Sequence, residues 1–208
     1  TTATDSNNTA VGYNAGLLVT TGVQNTLIGS LAGDAFTDAD KNTAVGTNSL
    51  SSDTLGSKSV AVGTAALFTQ NFTTATDAYN TAVGFEAGKA VTTGVLNTIV
   101  GGLAGDALTT GMENAAFGYL ALSSDDVGSH TVAIGPYALQ TQNFSTATDS
   151  FNTAVGYAAG TAVTTGIKNT LIGGLAGDGI TTGFNNIAIG YDAMGTNTTS
   201  GANVAIGY

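Results

Sequence analysis

The sequence has no cysteine, no arginine and no tryptophan, and it has a single proline. Without cysteine there is no disulfide framework, no thiolate zinc site and no cysteine nucleophile. Four lysines and one histidine stand against fourteen acids, giving a formal net charge of −10. Such a surface repels a phosphate backbone, so nucleic acid is not an expected partner. No apolar run reaches the roughly 18 residues of a membrane span, and the opening TTATDSNNTA lacks the charged start and apolar core of a signal segment. Membrane insertion is therefore not expected, and the missing initiator methionine points to a piece of a longer chain. Only 9% of residues are charged, yet the 42% hydrophobic content excludes the highly charged disordered class. What remains is glycine, alanine, threonine and asparagine, which suit stacked strands and tight turns, with no helical periodicity. The expected class is all-β.

NTAVGYNAG (8–16) returns as NTAVGFEAG (80–88) and NTAVGYAAG (152–160). The glycine closing each NTAVG-like phrase serves as a marker: Gly12, Gly29, Gly46, Gly63, Gly84, Gly101, Gly118, Gly135, Gly156, Gly173, Gly190 and Gly207. The steps run 17, 17, 17 and 21, then repeat, so four short repeats make a 72-residue unit. Repeats of 17 or 21 residues match single turns of a parallel β-solenoid. The expectation is one repetitive domain over 1–208, one repeat per coil, about 12 coils, with units near 12–83, 84–155 and an incomplete 156–208. At about 4.8 Å per layer the stack is a rod on the order of 55 Å long.

Two residues before each marker stands Ala or a larger aliphatic, and directly before it a branched or aromatic residue, so both faces of this strand are apolar. One face fills the solenoid. The other needs a cover, and a second copy of the chain is the economical one, with the small alanine column allowing close approach at that contact. A second pattern lies four and seven residues after the marker. Gly at the first position (Gly16, Gly33, Gly88, Gly105, Gly160, Gly177) goes with a large apolar residue at the second (Val19, Phe36, Val91, Leu108, Val163, Ile180). Leu or Met at the first (Leu50, Leu67, Leu122, Leu139, Met194) goes with a polar second (Asp53, Gln70, Asp125, Gln142, Asn197). Each coil thus contributes one bulky apolar group from this segment, as a core of fixed cross-section demands.

Four residues before the marker lies Asn8, Asn25, Asn42, Asn80, Asn97, Asn114, Asn152, Asn169, Asn186 or Asn203, interrupted by Ser59 and Thr131. Stacked asparagines form a hydrogen-bonded ladder and cap a tight turn, a structural role. The TTG segments at Thr20–Gly22, Thr92–Gly94, Thr109–Gly111, Thr164–Gly166 and Thr181–Gly183 are expected to turn through glycines at positive φ.

The phrases NTAVG, KSVAVG (58–63) and NVAIGY (203–208) resemble the head repeats of trimeric autotransporter adhesins and the repetitive stretches of phage tail fibres. The resemblance spans essentially the whole chain. It implies a left-handed parallel β-roll assembled as a homotrimer, extracellular, at a virion or bacterial cell surface, serving host attachment. The coils are longer than those typical of the adhesin heads, which favours the fibre relatives.

Candidates for chemistry are few. His130 is the only histidine and has no cysteine or second histidine to share a zinc site. It reads as a surface residue, and no catalytic residue or metal site is assigned. Asp34, Asp106 and Asp178 recur in LAGD, and Asp5, Asp77 and Asp149 in ATD. They could offer oxygen ligands to calcium, but the spacing of a calcium loop is absent, so no cofactor is expected and calcium is the lesser alternative. The 21-residue coils place Phe72, Tyr79, Phe144 and Phe151 in or beside protruding loops. Such aromatics either seal the longer turn, the preferred reading, or contact a host glycan or protein. Two other functions compete with an adhesive rod and a purely structural filament. Thr9, Thr26, Thr43, Thr81, Thr98, Thr153 and Thr170 form a column that would suit an ice-binding face, although Val60, Ala115, Val132, Ile187 and Val204 in the same column argue for burial. A glycan-cleaving enzyme would need paired carboxylates across a groove, which the repeats do not reveal, and no enzyme is expected.

Overall fold

Each NTAVG-like phrase forms a three-residue strand. In most of them β-branched residues flank a central alanine, and the marker glycine ends the strand in a conformation closed to other residues. The strands are Thr9–Val11, Thr26–Ile28, Thr43–Val45, Val60–Val62, Thr81–Val83, Thr98–Val100, Ala115–Phe117, Val132–Ile134, Thr153–Val155, Thr170–Ile172, Ile187–Ile189 and Val204–Ile206. They pair in chain order into one 12-stranded parallel sheet. The computed structural model describes residues 5–208, and among these there is no helix. The chain is a parallel β-solenoid of about twelve turns.

Register follows the repeat. Ala44 pairs with Ala61 across a 17-residue coil, and Ala61 with Ala82 across a 21-residue one. The four added residues leave the main sheet undisturbed. Each longer coil returns to register through a short second pair, Gly56–Ser57 with Thr76–Asp77 in one and Gly128–Ser129 with Thr148–Asp149 in the other.

The marker glycines have φ between 128° and 142°. A Cβ at Gly118 would lie 2.6 Å from the carbonyl carbon of Gly135 and 2.8 Å from Pro136 N in the next coil. Flat stacking of backbone on backbone thus requires glycine at this column. The TTG glycines are absent from the positive-φ residues, contrary to the expectation from sequence. They are glycine because a Cβ at Gly22, Gly94 or Gly166 would overlap a carbonyl of the coil above. The left-handed corners fall elsewhere, for instance at Gln24, Lys41 and Leu96.

The two apolar faces of the strand are assigned the other way round from the expectation. The central alanines (Ala44, Ala61, Ala82, Ala116, Ala133, Ala154 and Ala188) are fully buried inside the chain's own coil. The branched residue before the glycine points outward. The reason is the thinness of the coil: the opposite wall delivers its own inward groups, so the strand offers mostly a methyl group, and the larger Leu27, Ile99 and Leu171 enter where that wall is bare glycine.

That wall explains the compensating columns. A Cβ at Gly33 would come within 2.8 Å of both Leu27 Cδ2 and Phe36 Cε2. Gly33 therefore stays bare where the other two are large. In the alternative coils Leu50, Leu67, Leu122 and Leu139 fill the core, all fully buried and all at left-handed φ of 49° to 55°. Each such corner costs roughly 1–2 kcal/mol, offset by roughly 1.5–3 kcal/mol from burying leucine.

Candidate functional site

The asparagine column ties each coil to the next. Asn97 Oδ1 accepts the Asn114 backbone N–H at 3.0 Å, and its Nδ2 donates to the Gly111 carbonyl at 2.9 Å. The same pair of bonds recurs from Asn8, where the Asn25 N–H is accepted at 2.7 Å, to Asn186, where the Asn203 N–H is accepted at 3.1 Å. Each amide therefore satisfies buried backbone groups that the turn leaves without a partner.

The ladder stops at Ser59 and Thr131 because the following 21-residue coil supplies a glutamine. Gln70 Nε2 donates to Ser59 Oγ at 3.2 Å and to Asp53 Oδ2 at 2.6 Å, while its Oε1 accepts Asn80 Nδ2 at 2.8 Å. One unit later Gln142 joins Thr131, Asp125 and Asn152 at 3.1, 2.6 and 2.8 Å. Asp53 also accepts the N–H groups of Gly56 and Phe72, so it anchors the start of the extra loop. Asp53, Gln70, Asp125 and Gln142 are fully buried. Burial pushes the carboxyls of Asp53 and Asp125 above the ordinary value of 3.8, with the glutamine and backbone hydrogen bonds pulling in the opposite direction.

The four candidate aromatics divide into two pairs. Phe72 and Phe144 are only 5% exposed and present almost no surface to a partner. Tyr79 and Phe151 are 50% and 52% exposed. Tyr79 belongs to a surface cluster in which Lys58 Nζ meets Asp77 Oδ2 at 2.6 Å and the Tyr79 hydroxyl at 2.9 Å, and sits 5.0 Å from the Tyr79 ring centroid. Those hydrogen bonds hold the Lys58 ammonium above the usual lysine range. One unit on, His130 stacks on Phe151 with centroids 5.1 Å apart. Its Nδ1 lies 3.0 Å from Asp149 Oδ1 and its Nε2 lies 3.3 Å from Glu113 Oε2. The lone histidine is thus a surface residue, as expected. Its neighbours come from the coils on either side, Glu113 from one and Asp149 and Phe151 from the other, which the linear sequence does not display.

Asp34, Asp106 and Asp178 each have a side-chain oxygen shielded from solvent without a hydrogen-bond partner. Burial raises all three carboxyls above 3.8, aided at Asp178 by the charge of Asp192. Among the described residues no group of three or more His, Cys, Asp or Glu is placed to hold a metal ion, and no pocket is present.

The outer side of the sheet is apolar. Val11, Ile28, Val83, Phe117, Ile134, Ile172 and Ile206 line the outer side of the sheet. Beyond the marker glycine, Tyr13, Phe85, Tyr119, Tyr157 and Tyr191 are exposed on the adjacent side. Tyr119, Tyr137 and Tyr157 pack edge to face at 5.6 and 5.8 Å. An outward column of branched side chains and a second column of aromatics, interrupted by Ser30, Thr47 and Thr64, therefore meet along the glycine column. No family model matches the chain, and neither the curated proteins nor the solved structures provide a match.

Proposed function

We propose that the protein is the structural and adhesive rod of an extracellular fibre, a phage tail fibre or a bacterial surface adhesin, built from three copies of the chain side by side. The observation that carries this reading is the pair of apolar flanks meeting at the marker glycines. A two-fold contact needs one self-complementary face, whereas a closed ring of three joins one face of each copy to a different face of the next. Here the two faces lie on either side of one corner, which would point at the axis. The positions three before, one before and one after the marker carry no charged residue in any coil. That is the expected record of surfaces removed from water.

The size is adequate. Twelve strands at about 4.8 Å by three residues at about 3.3 Å give roughly 550 Å² per face. Each contact would bury on the order of 1,000 Å² in all, near the threshold for a specific interface. The resemblance to adhesin heads and tail fibres supports the same assembly, a left-handed winding and a place at a virion or cell surface. Light scattering tests the reading: a mass three times the 20.4 kDa of the chain is expected, and a monomer overturns it.

A second reading has one observation in its favour. The threonine column of the sheet faces outward rather than inward, so the burial expected from Val60, Ala115, Val132, Ile187 and Val204 does not hold within a single chain, where these side chains are half-buried or exposed. A flat outward threonine array suits ice. Phe117 and the neighbouring tyrosines roughen the face, which favours a protein partner. Thermal hysteresis from a monomeric protein would reverse that preference.

A further inference from the structure

We infer that the outer corner of each 21-residue coil is a binding site for a neutral carbohydrate. The inference rests on the fibre reading for its biological sense, though not for its chemistry. It begins with where the chain keeps its few basic side chains. Of four lysines and one histidine, Lys41, Lys58, His130 and Lys168 all occupy the position five before a marker glycine, one column on the rod. Tyr79 and Phe151 occupy the same column, one coil beyond Lys58 and His130. In a chain with fourteen acids, the basic groups are concentrated where the two exposed rings are held.

The two corners have the same composition. Each has a half-exposed ring, a nitrogen-bearing side chain fixed against it, and an exposed aspartate on that nitrogen: Tyr79, Lys58 and Asp77 in one, Phe151, His130 and Asp149 in the other. The partners are chosen by elimination. Lys58 is already paired with Asp77 at 2.6 Å, and His130 lies between the carboxylates of Glu113 and Asp149. A free anion finds the cation at each ring already paired, with one further lysine, Lys41 or Lys168, a coil away, a cation finds the carboxylate taken, and a dense polyanion is repelled by the net charge of −10. What the corner still offers is an apolar ring with hydrogen-bond donors and acceptors at its edge. A neutral sugar presents the complement, a C–H face ringed by hydroxyls.

Location and spacing agree. The column lies at the end of the strand remote from the glycine corner, so it stays open when copies cover the apolar flanks. The two sites are four coils apart, about 19 Å along the rod. Three chains would present six, enough for weak single contacts to gain avidity.

The chain's only histidine makes the test specific, because its ring signals in proton NMR report on the Phe151 corner. The intact protein is titrated with maltohexaose, mannohexaose and cellohexaose as neutral probes and with hexagalacturonate as the acidic one. At least one neutral probe is expected to shift the His130 signals saturably, with the acidic probe weaker. Phe151→Ala is expected to weaken that binding by about tenfold or more, whereas Tyr79→Ala leaves the His130 response intact while halving the sites per chain counted by calorimetry. No shift with any neutral probe, an equal response in Phe151→Ala, or tighter binding of hexagalacturonate overturns the inference. A trimer with a silent His130 removes the sugar site and leaves the rod standing. A monomer that binds sugar does the reverse.

Discussion

Single residues matter here chiefly through the space they leave empty. Gly118 combines a φ of 133° with a carbonyl group of the next coil where a Cβ would go, whereas Gly207 has a φ of 128° and nothing within 4 Å. Gly118→Ala therefore adds a backbone clash to the backbone strain, and Gly207→Ala adds strain alone. Strain of this kind costs on the order of 1–3 kcal/mol, and the clash forces neighbouring coils apart at a further cost of about 1–3 kcal/mol. Thermal melts are expected to place Gly118→Ala well below Gly207→Ala, and equal melting points would mean that the stack is looser than its geometry. The glycine column was legible from sequence because backbone stacking leaves its mark every 17 or 21 residues. The direction of its neighbours was not. Alternation shows that Ala133 and Ile134 face opposite ways, but with both apolar it does not say which is inside. Only the thinness of the coil decides, and that is set by residues such as Leu139 on the far wall.

At the level of the coil, the 21-residue element is organised around a buried carboxylate. Its aromatic seals and outer loop were anticipated, but the Asp53–Gln70–Asn80 network was not, because a polar residue opposite Leu reads simply as a position spared from packing. The third unit carries Asn197 where the first two have Asp53 and Asp125, and there the side chain is only half-buried and accepts from Ser200 Oγ in place of a glutamine. Five aspartates, Asp34, Asp53, Asp106, Asp125 and Asp178, have carboxyls raised chiefly by burial. A raised carboxyl binds its proton more tightly in the folded chain than in the unfolded one. Its contribution is fully present below the unfolded value near 3.8 and is lost as pH rises through the folded value. The fold is expected to be more stable at pH 4 than at pH 7, measured by melting temperature across that range. Asp53→Asn with Asp125→Asn should flatten the curve by removing the charge, while lowering the melting temperature across the range, because the amide offers one acceptor where the carboxylate uses both oxygens. A melting temperature that climbs from pH 4 to pH 7 would show that these carboxylates are better solvated than their surroundings indicate.

For the whole molecule the decisive question is what lies against the sheet. Ile134 sits near the middle of the rod, exposed between Phe117 and Val155 in the outward column. In a lone chain Ile134→Asp exchanges one outward side chain for another and changes stability by about 0.5 kcal/mol, as surface substitutions do. In the proposed trimer the same change places three carboxylates in a contact otherwise free of charge, close enough to one another to share the repulsion. An unpaired charge buried in this way costs about 3–5 kcal/mol, and it is repeated at each of three contacts. Light scattering should then fall from three chains to one, while the far-ultraviolet circular dichroism of the stack persists. Thr110→Asp, exposed and away from both flanks, serves as the matched control and should leave the mass unchanged. If Ile134→Asp keeps the mass of the parent, the sheet is not the contact, and the unbroken apolar column must be explained by a partner other than the chain itself.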